Sequence, residues 1–194
     1  GLGCASLGGY PHGTAQEDQA IDTIVKALEL GVSYFDTAPL YGHGKSEMVV
    51  GRALNGIDRA KYVISTKVGR VLVPAKNPSR EELSYSRHSL KGYTFLQAGG
   101  YSPLEPIFDY SRDGILKSVE DSLARLGLDK IDIIFIHDPD EGESVEAEKF
   151  GEPVHYEQAL DESFPVLAEL RSQGLLKAIG VGMNQWQALA RFIK

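Results

Sequence analysis

Cysteine is almost missing from this chain: Cys4 is the only one among 194 residues. A lone thiol excludes an intrachain disulfide framework and a thiolate metal cluster, and a reducing, cytoplasmic setting is the expectation. Basic charge is short too. Twenty Lys and Arg against 27 Asp and Glu leave a formal charge of −7, which argues against nucleic acid or an anionic membrane as main partner. A small anionic ligand stays open, since a local basic pocket can oppose the global sign. No uncharged run approaches the roughly 20 residues of a membrane-spanning helix. Gly1-Leu2-Gly3-Cys4 has neither the basic region nor the apolar stretch of a secretory leader. It also lacks an initiator Met and opens on a short strand-like run, so both ends are expected to be cut from something longer. There is no internal repeat and no low-complexity tract. The remainder, 42% hydrophobic and 24% charged, has the balance of one globular unit able to bury a sizeable core.

What is present alternates. Apolar, β-leaning runs occur at residues 32–36, 62–67, 131–137 and 178–182, with a short candidate at 2–5. Helical spacing falls between them. Ile21, Ile24, Val25 and Leu28 keep an i, i+3, i+4, i+7 pattern behind a Thr14-x-x-Glu17 capping box, and Gly31 stands where a helix-ending glycine belongs. A second helix is predicted over Ser46 to Leu54. A third carries Ile115, Val119, Leu123 and Leu126 and stops at Gly127. A fourth spans Glu157 to Ser172, with Pro165 kinking it or marking its start, and a last begins near Gln185.

Continuously apolar strands alternating with helices imply a parallel sheet covered by helices. An open dinucleotide-binding sheet would carry G-x-G-x-x-G after its first strand, but Gly1-Leu2-Gly3-Cys4-Ala5-Ser6 has Ser at the third glycine and no helix directly after it. A (β/α)8 TIM barrel is therefore expected, with 1–194 as one partial barrel domain covering about five β/α units. The stretch 71–110 breaks the rhythm. Its prolines (74, 78, 103 and 106) and its tyrosines and phenylalanines suit an ordered insertion over the active-site mouth better than a disordered linker.

In a βα barrel, reactive groups sit at the C-terminal ends of strands. Asp36, Lys67 and His137 each end a predicted strand, and Tyr41 lies five residues beyond Asp36 in Ala38-Pro39-Leu40-Tyr41-Gly42. Taken singly, each has an ordinary reading as cap, solvated cation, core imidazole or packing aromatic. Together they supply one mechanism. A free phenol, with a pKa of about 10, is too weak an acid at neutral pH. A neighbouring ammonium lowers that value, a carboxylate holds the ammonium, and a neutral His positions the substrate oxygen. No metal is required. A metal-dependent hydrolase using His137, Asp138 and Asp140 is disfavoured, because it lacks a second strand-end His and adjacent strand residues point to opposite faces.

Phe35-Asp36-Thr37-Ala38-Pro39-Leu40-Tyr41-Gly42 with Ser46-Glu47, Ile64-Ser65-Thr66-Lys67, residues 131–137 and Ile179-Gly180-Val181-Gly182-Met183-Asn184 together resemble the aldo-keto reductases. The resemblance implies a (β/α)8 barrel, NAD or NADP as cofactor, reversible carbonyl reduction, and a tetrad of Asp36, Tyr41, Lys67 and His137. It also implies cofactor contacts at Gly3, Cys4, Asp36, Met183 and Asn184, with Cys4 a wall residue and Met183 standing where Ser or Thr is common. Residues 136–140 and 181–186 look most like the D-threo-aldose, L-fucose or L-galactose, and pyridoxal dehydrogenase branch. The expected partner is a small aldehyde, ketone or sugar. The alternative is a nicotinamide-binding regulatory subunit on the same scaffold, as in potassium-channel β-subunits. A whole protein of roughly 300 residues or more is expected from the resemblance, with the phosphate-gripping half, and so the choice of NAD or NADP, outside this sequence.

Overall fold

A computed structural model of the chain describes residues 1–8, 17–74, 104–140, 155–183 and 186–192. Five strands, β1 (Leu2–Gly3), β2 (Tyr34–Asp36), β3 (Val63–Val68), β6 (Ile133–His137) and β7 (Ala178–Gly182), form one parallel sheet in the order β1-β2-β3-β6-β7. The order never reverses. An open doubly wound sheet must reverse at its switch point, whereas a barrel adds each strand beside the last. Register puts Gly3 beside Asp36, Asp36 beside Ser65, Lys67 beside Phe135, and His137 beside Gly182. The strand ends proposed for chemistry therefore line one rim.

The helices are those the periodicity predicts, with shifted ends. α1 (Glu17–Glu29) packs on α2 (Lys45–Leu54), and α2 packs on α3 (Arg112–Leu126). Gly31 and Gly127 take left-handed φ values of 86° and 63° just past α1 and α3, as helix-ending glycines do. Residues 9–16, with Thr14 of the capping box, lie outside the described residues. The fourth predicted helix is composite: α4 (Tyr156–Gln158), a π turn (Ala159–Ser163) and α5 (Phe164–Ser172). Pro165 sits in the first turn of α5, as the reading of it as a helix start expected. Its ring has no N–H and crowds the preceding turn, and the widened π turn absorbs that conflict without ending the helix. α6 (Trp186–Phe192) closes the described chain.

The interruption at 71–110 starts and ends as an antiparallel ribbon, β4 (Arg70–Pro74) paired with β5 (Leu104–Phe108). Residues 75–103 lie outside the described residues.

Ile24, Phe35, Val50, Ile64, Ile115, Ile134, Ile136 and Leu167 are among the fully buried core residues. At the N-terminal end of the strands, buried Asp132 accepts from the Ile64 N–H (2.9 Å), Arg59 Nη2 (2.5 Å) and Lys177 Nζ (2.7 Å). Burial pushes its carboxyl up, but these donors outweigh that and hold it below its ordinary value. This end serves stability; the opposite rim carries the other ionisable cluster. No helix among the described residues is long and apolar enough to cross a membrane.

Candidate active site

Lys67 is the hub of the rim. Its ammonium donates to Asp36 Oδ2 (2.7 Å) and to the Thr37 carbonyl (2.9 Å), and its Nζ lies 4.7 Å from the Tyr41 ring centroid. His137 meets Tyr41 edge to face, with ring centroids 5.8 Å apart at 89°. Asp36, Tyr41, Lys67 and His137 thus come from three strand ends and one loop to a single cluster. Asp36 is more open than its partner, with its side chain 28% exposed against 8% for Lys67.

The backbone fixes Tyr41. Its N–H donates to the Ala38 carbonyl (3.1 Å) and its carbonyl accepts from the Ser46 N–H (3.1 Å). Gly42 has φ 62°, and a Cβ there would fall 1.9 Å from the Gly8 carbonyl oxygen; one at Gly8 would fall 2.6 Å from the Tyr41 carbonyl oxygen. Two glycines face to face let the Tyr41 loop lie directly on the turn after β1.

A buried polar network supports these groups. Ser65 Oγ donates to Asp36 Oδ1 (2.6 Å) and is itself 2.9 Å from Tyr34 OH. Ser46 Oγ donates to the Cys4 carbonyl (2.8 Å) and lies 2.8 Å from Thr37 Oγ1. Fully buried Glu47 accepts from Thr66 Oγ1 (2.7 Å) and Arg125 Nε (2.6 Å), tying α2 to β3 and α3. Ser65 was within reach of sequence reasoning, since residues two apart on a strand share a face and Ser65 precedes Lys67 by two. Glu47 was marked only as part of the segments that carry the resemblance, and Arg125, on another helix, left no signal.

Protonation follows from burial and charge. Burial pushes the Tyr41 phenol up; Lys67 pulls it down through charge and hydrogen bonding, and Asp36 and Asp138 push it up again. The result stands above its ordinary value, so the expectation of a lowered phenol is corrected: in the free protein desolvation outweighs the ammonium. Burial pushes Lys67 down, but Tyr41 and Asp36 outweigh it, and it stays charged. His137 is held well below its ordinary value by burial, then by Arg70 and Lys67, and is neutral. Cys4 is buried, and its thiol is pushed up to about 12 by burial and the Asp36 charge, which makes it an inert wall.

A second correction concerns Asp138. Strand alternation sets it opposite His137, yet its φ of 44° turns the carboxylate back, to 3.3 Å from His137 Nε2. Arg70 Nη2 lies 3.4 Å from the same oxygen, with its guanidinium 4.6 Å above the Phe108 ring. Tyr110 OH donates to the His137 carbonyl, and a Cβ on Gly69 would strike the Tyr110 ring at 2.2 Å. Among the described residues no group of three His, Cys, Asp or Glu side chains is placed to hold a metal.

The aldo/keto reductase family model matches residues 1–192. The chain belongs to that family. D-threo-aldose 1-dehydrogenase of a Pseudomonas species is 32% identical over 194 residues, covering 100% of this chain and 52% of the relative. Pyridoxal 4-dehydrogenase of Microbacterium luteolum is 34% identical over 205 residues, covering 97% and 53%. The solved glycerol dehydrogenase of Gluconobacter oxydans superposes with a TM-score of 0.63 at 30% identity, covering 99% of this chain and 46% of that one. This aldo/keto reductase chain thus spans about half the length of the curated relatives it matches, and its five parallel strands are the first part of the family's (β/α)8 barrel. Of the residues the resemblance implied for the cofactor, Gly3, Cys4 and Asp36 lie together at the ends of β1 and β2, and half-buried Met183 follows β7. Asn184 lies outside the described residues.

Proposed function

We propose that this chain carries the proton-transfer half of an NAD- or NADP-dependent oxidoreductase. The reaction is hydride transfer between nicotinamide C4 and an aldehyde, ketone or sugar hemiacetal, with Tyr41 as general acid or base. The observation that carries the reading is the Lys67 ammonium, 2.7 Å from Asp36 Oδ2 and 4.7 Å from the Tyr41 ring centroid, with neutral His137 edge-on to the same ring. A structural ion pair has no need of a half-buried phenol and a neutral imidazole beside it; a carbonyl oxygen that gains a proton does.

The residues present fit the nicotinamide-ribose end of the cofactor. A Cβ at Gly3 would meet nothing within 4 Å, so that part of the rim is open. Asp36 has its side chain partly in solvent, and a carboxylate suits a ribose diol. Gly3, Asp36, Met183 and Asn184 would hold that end, and the bound cofactor would supply or accept the hydride. NAD and NADP both remain admissible.

In reduction, Tyr41 holds its proton at neutral pH and gives it to the carbonyl oxygen as negative charge develops there. Lys67 stabilises the phenolate that remains, and Asp36 and the Thr37 carbonyl keep the ammonium from turning away. Neutral His137 donates a hydrogen bond to the same oxygen. In oxidation the direction reverses, with Tyr41 as base on a hydroxyl; a cyclic hemiacetal would yield a lactone directly. The names of the two relatives favour a sugar or pyridoxal-like aldehyde or hemiacetal. We also read 71–110 as an insertion beside the mouth: its ribbon leaves β3 three residues after Lys67, and His43 Nδ1 lies 3.0 Å from the Leu104 carbonyl.

The test uses the full-length protein with NAD and NADP and a panel of sugars and aldehydes, following reduced-nicotinamide absorbance. Tyr41→Phe should lower kcat by about 10²–10⁴-fold. Full turnover in Tyr41→Phe refutes the proton role, and cofactor binding without any turnover refutes the enzyme reading.

A further inference from the structure

The group the proton-transfer reading leaves over is the buried ion pair of Arg70 and Asp138. Both residues are almost wholly buried, at 2% and 7% exposure, on the rim that carries Lys67 and His137. Asp138 is held by more than its partner. Its N–H donates to the Gly182 carbonyl (2.7 Å), and its left-handed backbone, uncommon for a residue with a side chain, is what brings the carboxylate to His137.

We propose that Asp138, held by Arg70, is a specificity-determining residue that accepts a hydrogen bond from a hydroxyl on the carbon next to the reacting carbonyl. The enzyme would then prefer 2-hydroxy aldehydes, and sugar hemiacetals with a free 2-hydroxyl, over their deoxy counterparts. This rests on the hydride-transfer reading above. Asp138 Oδ2 lies 3.3 Å from Nε2 of His137, the residue assigned to donate to the reacting oxygen. Oxygens on neighbouring carbons are separated by about the length of an ordinary O–H···O bond, roughly 2.8 Å. A substrate whose carbonyl oxygen meets His137 therefore brings its neighbouring hydroxyl within reach of Asp138.

The hydrogen-bond exchange gives the preference its sign. In the free protein the neutral imidazole can donate to Asp138. His137 Nδ1 is buried with no hydrogen-bond partner, which fits the tautomer with its proton on Nε2. When a carbonyl oxygen takes that donor, the buried carboxylate loses it. A 2-hydroxyl replaces it, whereas a deoxy substrate leaves an ionised oxygen short of one bond. A hydrogen bond to a charged group of this kind is worth about 10- to 100-fold in discrimination.

The experiment compares kcat/KM of the full-length enzyme for lactaldehyde against propionaldehyde, and for glyceraldehyde against 3-hydroxypropanal. The wild type should favour the 2-hydroxy member of each pair by about tenfold or more, and Asp138→Asn should bring both ratios towards one. The double variant Arg70→Gln, Asp138→Asn removes both charges and leaves no unpaired ion; it should show the same collapse, and it serves if the single variant fails to fold. Parity in the wild type overturns the proposal. So does an equal loss on both members of a pair, which would make Asp138 a positioning residue for His137. Absence of nicotinamide turnover on every carbonyl sinks the underlying reading, and this one with it. Activity present but indifferent to the 2-hydroxyl sinks only this one.

Discussion

Replacing Lys67 by Met removes the ammonium and keeps most of the side chain's volume. The charge lies 4.7 Å from the Tyr41 ring centroid. At an effective dielectric of about 20 a unit charge at that distance acts on a phenolate with roughly 3–4 kcal/mol, or about 2.5 pKa units. In Lys67→Met nothing then opposes burial, Asp36 or Asp138, all of which push the phenol up. The consequence differs by direction. Oxidation needs the phenolate, so its alkaline rise should move up by about two pH units, and its rate at pH 8 should fall by about 10²-fold. Reduction uses the protonated phenol; it should lose rate because the acid is weaker and the developing phenolate uncompensated, with little change in the pH at which it declines below pH 9. The assay is the pH dependence of kcat in each direction for full-length wild type and variant, with circular dichroism to show that both are folded. An oxidative profile at its wild-type position, or a loss below about threefold, would refute the coupling of Lys67 to the phenol.

Gly42→Ala should cut activity far more than stability measurements alone would suggest: its Cβ meets the Gly8 carbonyl oxygen at 1.9 Å, so the loop bearing Tyr41 must lift. An expected stability loss of about 1–3 kcal/mol is read from urea unfolding, and a change in kcat without one in cofactor affinity marks the displaced phenol. A further prediction concerns acid. His137 and His43 have folded-state values below the ordinary 6.5, so their contribution is complete above that pH and is lost as pH falls. Between pH 7.5 and 5.5 each should remove up to about 1.4 kcal/mol of unfolding free energy, and His137→Gln should flatten the slope by its share.

Sequence periodicity reached the sheet because most strands are apolar runs and each helix keeps a single stripe. It placed β7 over residues 178–182, as found, and misjudged β2 and β6 only at their first residues, where pairing starts later than the apolar run. The rim was legible because the barrel topology turns strand ends into neighbours. Two features were not. The ribbon of β4 and β5 pairs segments about 30 residues apart across a proline-rich stretch, with Pro106 on one of its strands, and no alternation announces it. Asp138 escaped because a two-residue alternation assumes extended backbone, and one residue at φ 44° reverses the direction in which a side chain points.

That reversal bears on why this rim holds so many charges in so little solvent. Asp36 and Lys67 form one pair, Arg70 and Asp138 another, and neutral His137 stands between them with Tyr41. Were either pair broken, His137 would face an uncompensated charge: a lone carboxylate would favour protonating it, and a lone cation would disfavour it further. With both intact, burial does most to hold the imidazole neutral, and the nearby Arg70 and Lys67 act in the same direction. A neutral imidazole can donate one hydrogen bond without delivering a proton, which in the proposed mechanism leaves proton delivery to Tyr41. The proposed separation of tasks, orientation by His137 and acid–base work by Tyr41, thus rests on the second ion pair as much as on the first.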